Sequence, residues 1–517
     1  MTPLRFASDA KQRLQVLTIA YASLMIGLFL FQLGLGANAS LDISFLITAL
    51  LPIAVIDRNN IWPADILYFS LSAYFGGMSL LFKSILLQPL QQNLYAPDMS
   101  ALYQILSFMS ITFALVLCRL ARNHRSRTQV MMAQTLERPQ FLRWFGRIFY
   151  GLGFATQVLA AIFRPQLQNG VMDQSEGFGG FGSFYFMMVF GLAAQIYIVV
   201  KNKDNAFERL IMIGMFVGAL FISMISNVKK PLFDAIIVAC LSIYAFKIQV
   251  KLSQVAIVFA GLIFMQTVVS PLIHIVRYEA TAKSPIERIS ATLDILREYD
   301  YDFGKISALT DVQATTMHTY RADQSYYYPS TANIDRFSLI LPTDQVVRSG
   351  EPSRLDPWDQ LLSGVRQTLP SFVIEHKSYV GADEVAWAYG IRDWGAIARP
   401  VIGVTASSYA TGGLWAILAL PGALFGLLFL LIDRYFGALS MNILGVAIAA
   451  YMAQNAEKEI DALVVLTTRD LIITLATIAI AAFVYRLATR PRQEPLRKLR
   501  RLLPPLSVGS VSARKSK

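Results

Sequence analysis

Long apolar runs recur along this chain, and short polar or basic segments separate them. A helix that crosses a bilayer needs about 20 mostly apolar residues. No small-residue cleavage site follows the first run convincingly, so we expect a retained helix rather than a signal peptide. The pattern predicts an all-α polytopic membrane protein with about twelve spans, at residues 14–36, 41–56, 62–82, 99–119, 145–163, 182–200, 209–227, 231–246, 254–275, 405–432, 437–453 and 470–488.

The composition indicates that lipid is the solvent for most of the chain. Of the 517 residues, 55% are hydrophobic and 15% are charged, whereas soluble domains usually carry about 25% charged residues. Cys118 and Cys240 both lie within predicted spans, so no disulfide framework is expected. The net charge of +12 would suit a nucleic-acid partner, but the positions of the basic residues argue for a membrane orientation signal instead.

The basic residues gather in alternate connections between the predicted spans. Cytoplasmic connections carry an excess of Lys and Arg, so this asymmetry predicts that both ends of the chain face the cytoplasm. The opposite short connections hold only Lys83, Arg164, Lys229, Lys230, Lys458 and Arg469. The basic side holds Arg5, Lys11, Arg13, Arg119, Arg122, Arg125, Arg127, Arg138, Arg143, Arg147, Lys201, Lys203, Arg209, Lys247, Lys251, Arg434 and the tail at 490–517.

One connection, at residues 276–399, is long and is expected to form an extracytoplasmic domain between spans nine and ten. Its 17 acidic and 13 basic residues make it slightly acidic. Helix signals at 284–296, 333–347 and 356–365 predict a mostly helical domain that covers the outer ends of the spans. The predicted helix at 333–347 includes Asp335 and Arg336. The chain thus divides into spans one to nine at 1–275, this loop domain at 276–399, spans ten to twelve at 400–489 and a basic cytoplasmic tail at 490–517.

Lys229 and Lys230 stand on the side of the membrane where basic residues are few, directly before a span. Lysine binds phosphate as a point charge, and a helix N-terminus also favours anions. Asp234 lies one turn inside the span, where an ionisable residue is a functional candidate, and Lys230 is its expected partner through i,i+4 spacing. The alternatives are a structural ion pair and lysines that extend to the lipid headgroups.

His376 and His318 are the candidate general bases of the loop domain. In an extended segment His376 would point away from its neighbours Glu375 and Lys377, which argues against the three acting together. An ordinary surface or packing histidine is the alternative interpretation for both. The spacing matches no zinc site, so we predict neither a metal nor a cofactor. Aromatic residues of the domain suit sugar stacking or anchoring at the bilayer interface.

Several stretches between residues 225 and 435 resemble the Wzy-type O-antigen and exopolysaccharide polymerases, as does the late position of the large outer loop. The first six predicted spans match these proteins only in hydropathy. Lysines stand where these proteins often have arginine, and Glu375-His376 replaces their usual aromatic-proline run. The stretches are Lys229-Lys230-Pro231-Leu232, the loop segment 334–340 with Asp335 and Arg336, the segment 369–377, and the glycine-punctuated run 405–426 that contains Tyr409.

The resemblance implies a glycosyltransferase of GT-C-like architecture in the bacterial cytoplasmic (inner) membrane. It would polymerise oligosaccharide repeat units carried on undecaprenyl pyrophosphate, with a flippase and a chain-length regulator as partners and no nucleic acid. Cations should stabilise the departing pyrophosphate. The implied binding residues are Lys229, Lys230, Arg336, Arg399, Lys377 and Tyr409, and the implied catalytic candidates are His376, His318, Glu375 and Asp335.

Three other functions stay open at this point. An O-antigen-type ligase would share the architecture and hand the glycan to a different acceptor. A non-enzymatic polysaccharide or lipid transporter would often show a repeated half-structure and charges near the midplane, and neither is found in the sequence. A structural or assembly protein could use the aromatic loop domain to hold a partner.

Overall fold

The chain folds almost entirely into helices. A computed structural model describes residues 10–56, 60–120, 122, 138–163, 167–168, 171–172, 179–202, 205–226, 228–248, 260–261, 285–306, 308–309, 325–327, 334–369, 381–392, 394, 400–440 and 442–489. Within these residues the only strands are the short antiparallel pair β1 (Leu167–Gln168) and β2 (Val171–Met172).

The helices before the loop domain are α1 (Ala10–Gly34), α2 (Ala39–Val55), α3 (Pro63–Ser72), α4 (Met78–Ile85), α5 (Pro97–Leu120), α6 (Pro139–Ile162), α7 (Phe186–Lys201), α8 (Ala206–Ser226) and α9 (Lys230–Ala245). A π-helical turn, Ala73–Gly77, joins α3 to α4, and a 3-10 turn, Gly179–Phe184, leads into α7.

The loop domain contributes α10 (Pro285–Glu298), α11 (Ile340–Arg348), α12 (Pro357–Thr368) and α13 (Gly381–Ala388). The closing part of the chain forms α14 (Gly403–Phe436), α15 (Ile443–Ala453), α16 (Ile460–Val465) and α17 (Leu471–Thr489). A second π-helical turn, Leu466–Asp470, joins α16 to α17, and 3-10 turns lie at Asp335–Phe337 and Gln454–Glu457.

A polytopic membrane protein is confirmed at the level of helix length and composition. Among the described residues, eight helical stretches are long and apolar enough to cross a membrane, and each coincides with a predicted span. These stretches are Gln15–Gly34, Pro63–Ile85, Pro97–Leu120, Pro139–Ile162, Phe181–Lys201, Ala206–Ser226, Gly403–Phe436 and Ile460–Ala488.

The other four predicted spans differ. Helix α2 has 17 residues and α9 has 16, so at about 1.5 Å per residue each is shorter than a bilayer core of roughly 30 Å. Helix α15 has only 11 residues, because the chain turns at Gly437 with φ of 73° and the helix starts after the Asn442 cap. The span predicted at 254–275 lies outside the described residues except for 260–261.

Helix α14 is broken by two adjacent glycines in its first third. Gly412 and Gly413 leave helical geometry, and Gly413 has a φ of 60°, which glycine adopts without steric cost. The break removes the usual helical donors for the carbonyl groups of Tyr409 and Ala410. Backbone N–H groups of Ser353 and Leu355 donate to these two carbonyl oxygens at 3.2 and 3.0 Å. An extended segment of the loop domain therefore supplies the hydrogen bonds that the break in α14 removes.

The end of the helix bundle opposite the loop domain is closed by buried ion pairs, and we call it the arginine-rich end. Arg122 lies 2.6 Å from Asp433 and 3.1 Å from Asp65, and Arg119 lies 3.0 Å from Asp65. These contacts join the C-terminal ends of α5 and α14 to the N-terminal end of α3, as alternating spans require. That this end faces the cytoplasm stays a prediction.

The loop domain docks on the other end, the loop-domain end, through polar contacts. The Asp344 carboxylate accepts hydrogen bonds from the N–H groups of Tyr95 and Ala96, both at 2.8 Å, just before α5. Lys83, at the end of α4, lies 4.3 Å from the ring centre of Tyr326. Burial raises the pKa of Asp344 despite these donors.

Two expectations for the loop domain need correction. The helix predicted at 333–347 is instead the 3-10 turn Asp335–Phe337 followed by α11. Tyr326 and Tyr327 are fully buried against α4 and its neighbours, so neither ring offers an open face to a sugar. The domain's described residues are largely helical, as predicted.

Candidate functional site

The site starts at Lys230, the first residue of α9. Its amine lies 3.7 Å from the Asp234 carboxylate one turn later, which confirms the ion pair predicted from the spacing. The Tyr185 hydroxyl donates to the same carboxylate oxygen at 2.8 Å. Asp234 is fully buried, and among the described residues its second carboxylate oxygen finds no hydrogen-bond partner. The lysine side chain keeps 31% of its surface exposed.

Aromatic rings line the surroundings of the Lys230 amine. The ring centres of Tyr451 and Tyr185 lie 5.5 and 5.9 Å from its nitrogen, within the range of cation–π attraction. The two rings are 6.3 Å apart. Tyr185 precedes α7 and Tyr451 belongs to α15, so the ammonium group sits among α7, α9 and α15.

A second cation reaches this neighbourhood from the loop domain. Arg336 lies in the 3-10 turn Asp335–Phe337, and its guanidinium is 3.5 Å from the Glu457 carboxylate. Arg336 and Glu457 are both within electrostatic range of the Tyr74 hydroxyl, and so is Asp234. The Arg336 side chain is 54% exposed, so it is open to an added anion.

A third cation comes from the π-helical turn between α16 and α17. The Arg469 guanidinium is 2.9 Å from the carboxylate of its neighbour Asp470 and donates to the Gln367 carbonyl oxygen at 3.4 Å. Arg469 and Asp234 both lie within electrostatic range of the Tyr451 hydroxyl. We call Lys230, Arg336 and Arg469 the cationic cluster.

Glu459 caps the start of α16 and is two positions after Glu457, the carboxylate partner of Arg336. Burial is the main cause that raises its pKa; the Asp461 carboxylate adds to the effect and the Lys458 amine opposes it. A carboxyl group with a raised pKa is more often protonated near neutral pH. Glu459 therefore carries less negative charge near neutral pH than an exposed glutamate would.

The structure places the remaining predicted residues as follows. Lys229 caps α9, is partly buried, and its carbonyl oxygen accepts from the N–H groups of Leu232 and Phe233. Tyr409 is 5% exposed, and its ring lies tilted against that of Tyr103 with the ring centres 5.2 Å apart. It packs with α11 and α13 residues rather than with the cationic cluster. Asp335 is described for its backbone alone. His376, His318, Glu375, Lys377 and Arg399 lie outside the described residues.

Arg469 is the residue that the sequence-based site prediction missed. Its charge was visible on the side where basic residues are few, but the span expected at 470–488 placed it in a connection. The helical stretch in fact begins earlier, at Ile460, and runs through the π turn into α17. An arginine inside such an apolar stretch is by itself a functional signal. Tyr185 and Tyr451 carried no signal, because tyrosines are common where spans end.

The cluster has the chemistry of an anion site. Three cations from separate segments lie toward one end of the bundle, each beside a carboxylate at 2.9 to 3.7 Å and each with 31% to 54% of its side chain exposed. Among the described residues, no group of three or more His, Cys, Asp or Glu is placed to hold a metal ion. Comparisons with protein-family models, curated proteins and solved structures found nothing that matches this chain.

Proposed function

We propose that this protein is a glycosyltransferase that polymerises oligosaccharide repeat units linked to undecaprenyl pyrophosphate, on the outer face of the bacterial cytoplasmic membrane. The observation that carries the proposal is that Lys230, Arg336 and Arg469, from three separate segments, all lie toward the loop-domain end with partly exposed side chains. The resemblance of the segments around Lys230 and Arg336 to such polymerases supports the same reaction.

The cationic cluster fits the leaving group of this reaction. When a sugar hydroxyl attacks the anomeric carbon of the growing chain, the bond to the lipid pyrophosphate breaks and negative charge develops on the phosphate. Cations that are already in place stabilise that charge without reorganisation. The forked guanidinium groups of Arg336 and Arg469 suit phosphate oxygens bidentately, and Lys230 acts as a point charge.

The location of the cluster suits a lipid-borne substrate. Asp234 and Tyr451 belong to helices of the bundle, whereas Arg336 belongs to the loop domain. A phosphate held between them would have its lipid tail beside the bundle and its glycan under the loop domain. The proton of the acceptor hydroxyl would go to one of the proposed bases, His376 or His318, with Glu375 and Asp335 as further candidates.

A gene deletion tests the reaction class. Under the proposal, the deletion strain loses long-chain surface polysaccharide and accumulates single repeat units attached to their final acceptor. A ligase would instead leave long chains stranded on the lipid carrier. A transporter would abolish export of all lipid-linked glycan, and an unchanged polysaccharide would contradict the proposal and both alternatives.

Point variants test the cluster itself. Lys230→Ala, Arg336→Ala and Arg469→Ala should each shorten the polysaccharide at normal protein levels. Lys305→Ala is the matched control, because the Lys305 amine also lies 3.7 Å from a carboxylate, that of Asp302, and its side chain is 64% exposed. It lies after α10, and its contacts involve none of the cluster residues. Wild-type chain length in all three cluster variants would remove the assignment.

A further inference from the structure

Helix α12 exposes an apolar stripe along its length, formed by Trp358, Leu362, Val365 and Leu369 at its end. Their exposed fractions are 70%, 46%, 45% and 40%. Residues three and four apart share one face of a helix, so the four side chains form one continuous strip. Water is a poor solvent for such a strip, since each buried square ångström of apolar surface is worth about 25 cal/mol.

The stripe lies on the side of α12 that faces away from the protein. The opposite side holds Gln360, Ser363 and Gly364, which are all buried. A Cβ on Gly364 would come within 2.7 Å of the Val464 side chain, so α12 and α16 are in close contact there. The protein therefore covers one face of α12 and leaves the apolar face uncovered within the described residues.

The contacts of α12 fix its level along the bundle. Gly364 meets α16 between Asp461 and Val464, and the Gln367 amide donates to the Asp461 carboxylate at 3.1 Å. Helix α16 opens the apolar stretch Ile460–Ala488. At about 1.5 Å per residue these 29 residues are longer than a hydrocarbon core of roughly 30 Å, so the first residues of the stretch lie near the boundary between headgroups and acyl chains. Helix α12 contacts α16 at these first residues and therefore lies at the same boundary.

We propose that α12 is an interfacial membrane helix whose apolar stripe is covered by acyl chains of the leaflet at the loop-domain end. An in-plane helix buries its apolar face at the headgroup boundary in this way. Trp358 in its first turn fits the aromatic preference of that boundary. The charged residues Asp359 and Arg366 lie on the exposed flank beside the stripe, where they can reach headgroups.

This placement joins the stripe to lipid-facing surface that the spans already present. The Leu414 and Leu418 side chains of α14 are 46% and 41% exposed, and α12 packs against α14 as well as α16. The C-terminal end of α12 also adjoins the cationic cluster, because Arg469 donates to the Gln367 carbonyl oxygen. The proposal does not depend on the proposed enzymatic function, since it concerns the bilayer lipid alone.

Spin-label accessibility in liposomes tests the proposal on the full chain. In a Cys118→Ala, Cys240→Ala background, which removes both cysteines of the chain, single cysteines are introduced in turn at Trp358, Leu362, Val365, Leu369 and the flank position Asp359, and a nitroxide is attached to each. Collision rates are measured with oxygen, which concentrates in lipid, and with a water-soluble nickel chelate. Val217 of α8, 58% exposed, is the lipid control, and Glu351, with a side chain 71% exposed, is the water control.

We expect the oxygen-to-nickel ratio at Leu362 and Val365 to be several-fold above that at Glu351 and to approach that at Val217. The ratio should fall at Asp359, so that it oscillates with the helical period. High nickel accessibility at all α12 positions would place the stripe in water and overturn the proposal. Low accessibility to both reagents at the stripe would show that protein covers it, and this result also overturns the proposal.

Discussion

The two ends of the helix bundle hold charged groups in different ways. At the arginine-rich end, Arg122 reaches Asp433 at 2.6 Å, with side chains only 9% and 4% exposed. At the loop-domain end, Arg336 reaches Glu457 at 3.5 Å, with side chains 54% and 25% exposed. The first pair is short, buried and shared with further partners, whereas the second is long and open.

The difference separates a structural contact from a site that can take a ligand. Asp433 also accepts from the Ala64 N–H at 3.0 Å, and Asp65 accepts from Arg119, Arg122 and the Trp62 N–H. Charges buried with this many partners cannot be exchanged for an outside anion without a large cost. The cations of the loop-domain end keep exposed surface, as the phosphate site that we propose requires.

The largest effect is expected from breaking the arginine-rich end. Asp433→Asn leaves the Arg122 charge buried with half of its carboxylate partners removed, and loss of one partner of a buried pair typically costs about 3–5 kcal/mol. The thermal unfolding midpoint of the purified protein in detergent should fall strongly. An unchanged midpoint would mean that this end contributes no more to stability than a surface pair.

A smaller loss is expected where the loop domain docks on α16. Gly381 donates its N–H to Asp461 at 2.8 Å, and a Cβ there would lie 2.3 Å from the Gln360 side-chain oxygen and 2.7 Å from the second Asp461 oxygen. Gly381→Ala should cost about 1–3 kcal/mol, as overpacking does, and speed proteolysis of the loop domain. Gly214→Ala in α8, with nothing within 4 Å, is the control and should be neutral; equal behaviour of the two variants would contradict this docking contact.

A still smaller, pH-dependent contribution to the stability of the folded loop domain is expected from Glu384 in α13. Burial raises its pKa above 4.5, the Gln360 hydrogen bond opposes this, and the charges of Asp461, Asp359 and Asp383 add to it. A carboxyl group whose pKa is raised by folding stabilises the folded state below its unfolded pKa, and this contribution is lost as the pH rises through the folded pKa.

The loop domain should therefore become more open to proteolysis as the pH rises from 4.5 through the raised pKa of Glu384. Glu384→Gln should flatten that pH dependence, whereas Glu351→Gln, at a side chain 71% exposed, should leave it intact. A slope that survives in Glu384→Gln would assign it to other carboxyl groups of the docking surface.

The smallest stability effect is expected at Arg336. Its pair with Glu457 is partly exposed, and such pairs usually contribute about 0–1 kcal/mol. Arg336→Ala should thus unfold at nearly the wild-type temperature while it shortens the polysaccharide under the proposed function. A drop in the unfolding midpoint as large as that of Asp433→Asn would show that the ion pairs at both ends of the bundle contribute similarly to stability.

The sequence by itself determined the membrane class, the positions of eight membrane-length helical stretches among the described residues and the Lys230–Asp234 pair. Each of these depends on local properties: about 20 apolar residues make a span, and i,i+4 spacing places two side chains side by side. Arg336 is a candidate through the resemblance of the segment 334–340, and its role at the site stays a prediction.

Only the tertiary structure decided which residues meet. Lys230 and Arg469 both lie near Tyr451, a proximity that no spacing encodes, and the apolar face of α12 points outward although a helix pattern cannot show which face is covered. The break at Gly412 and Gly413 also depends on distant residues, since Ser353 and Leu355 satisfy the carbonyl groups that it frees. Long-range packing sets these features, and the periodicity of one segment carries no information about it.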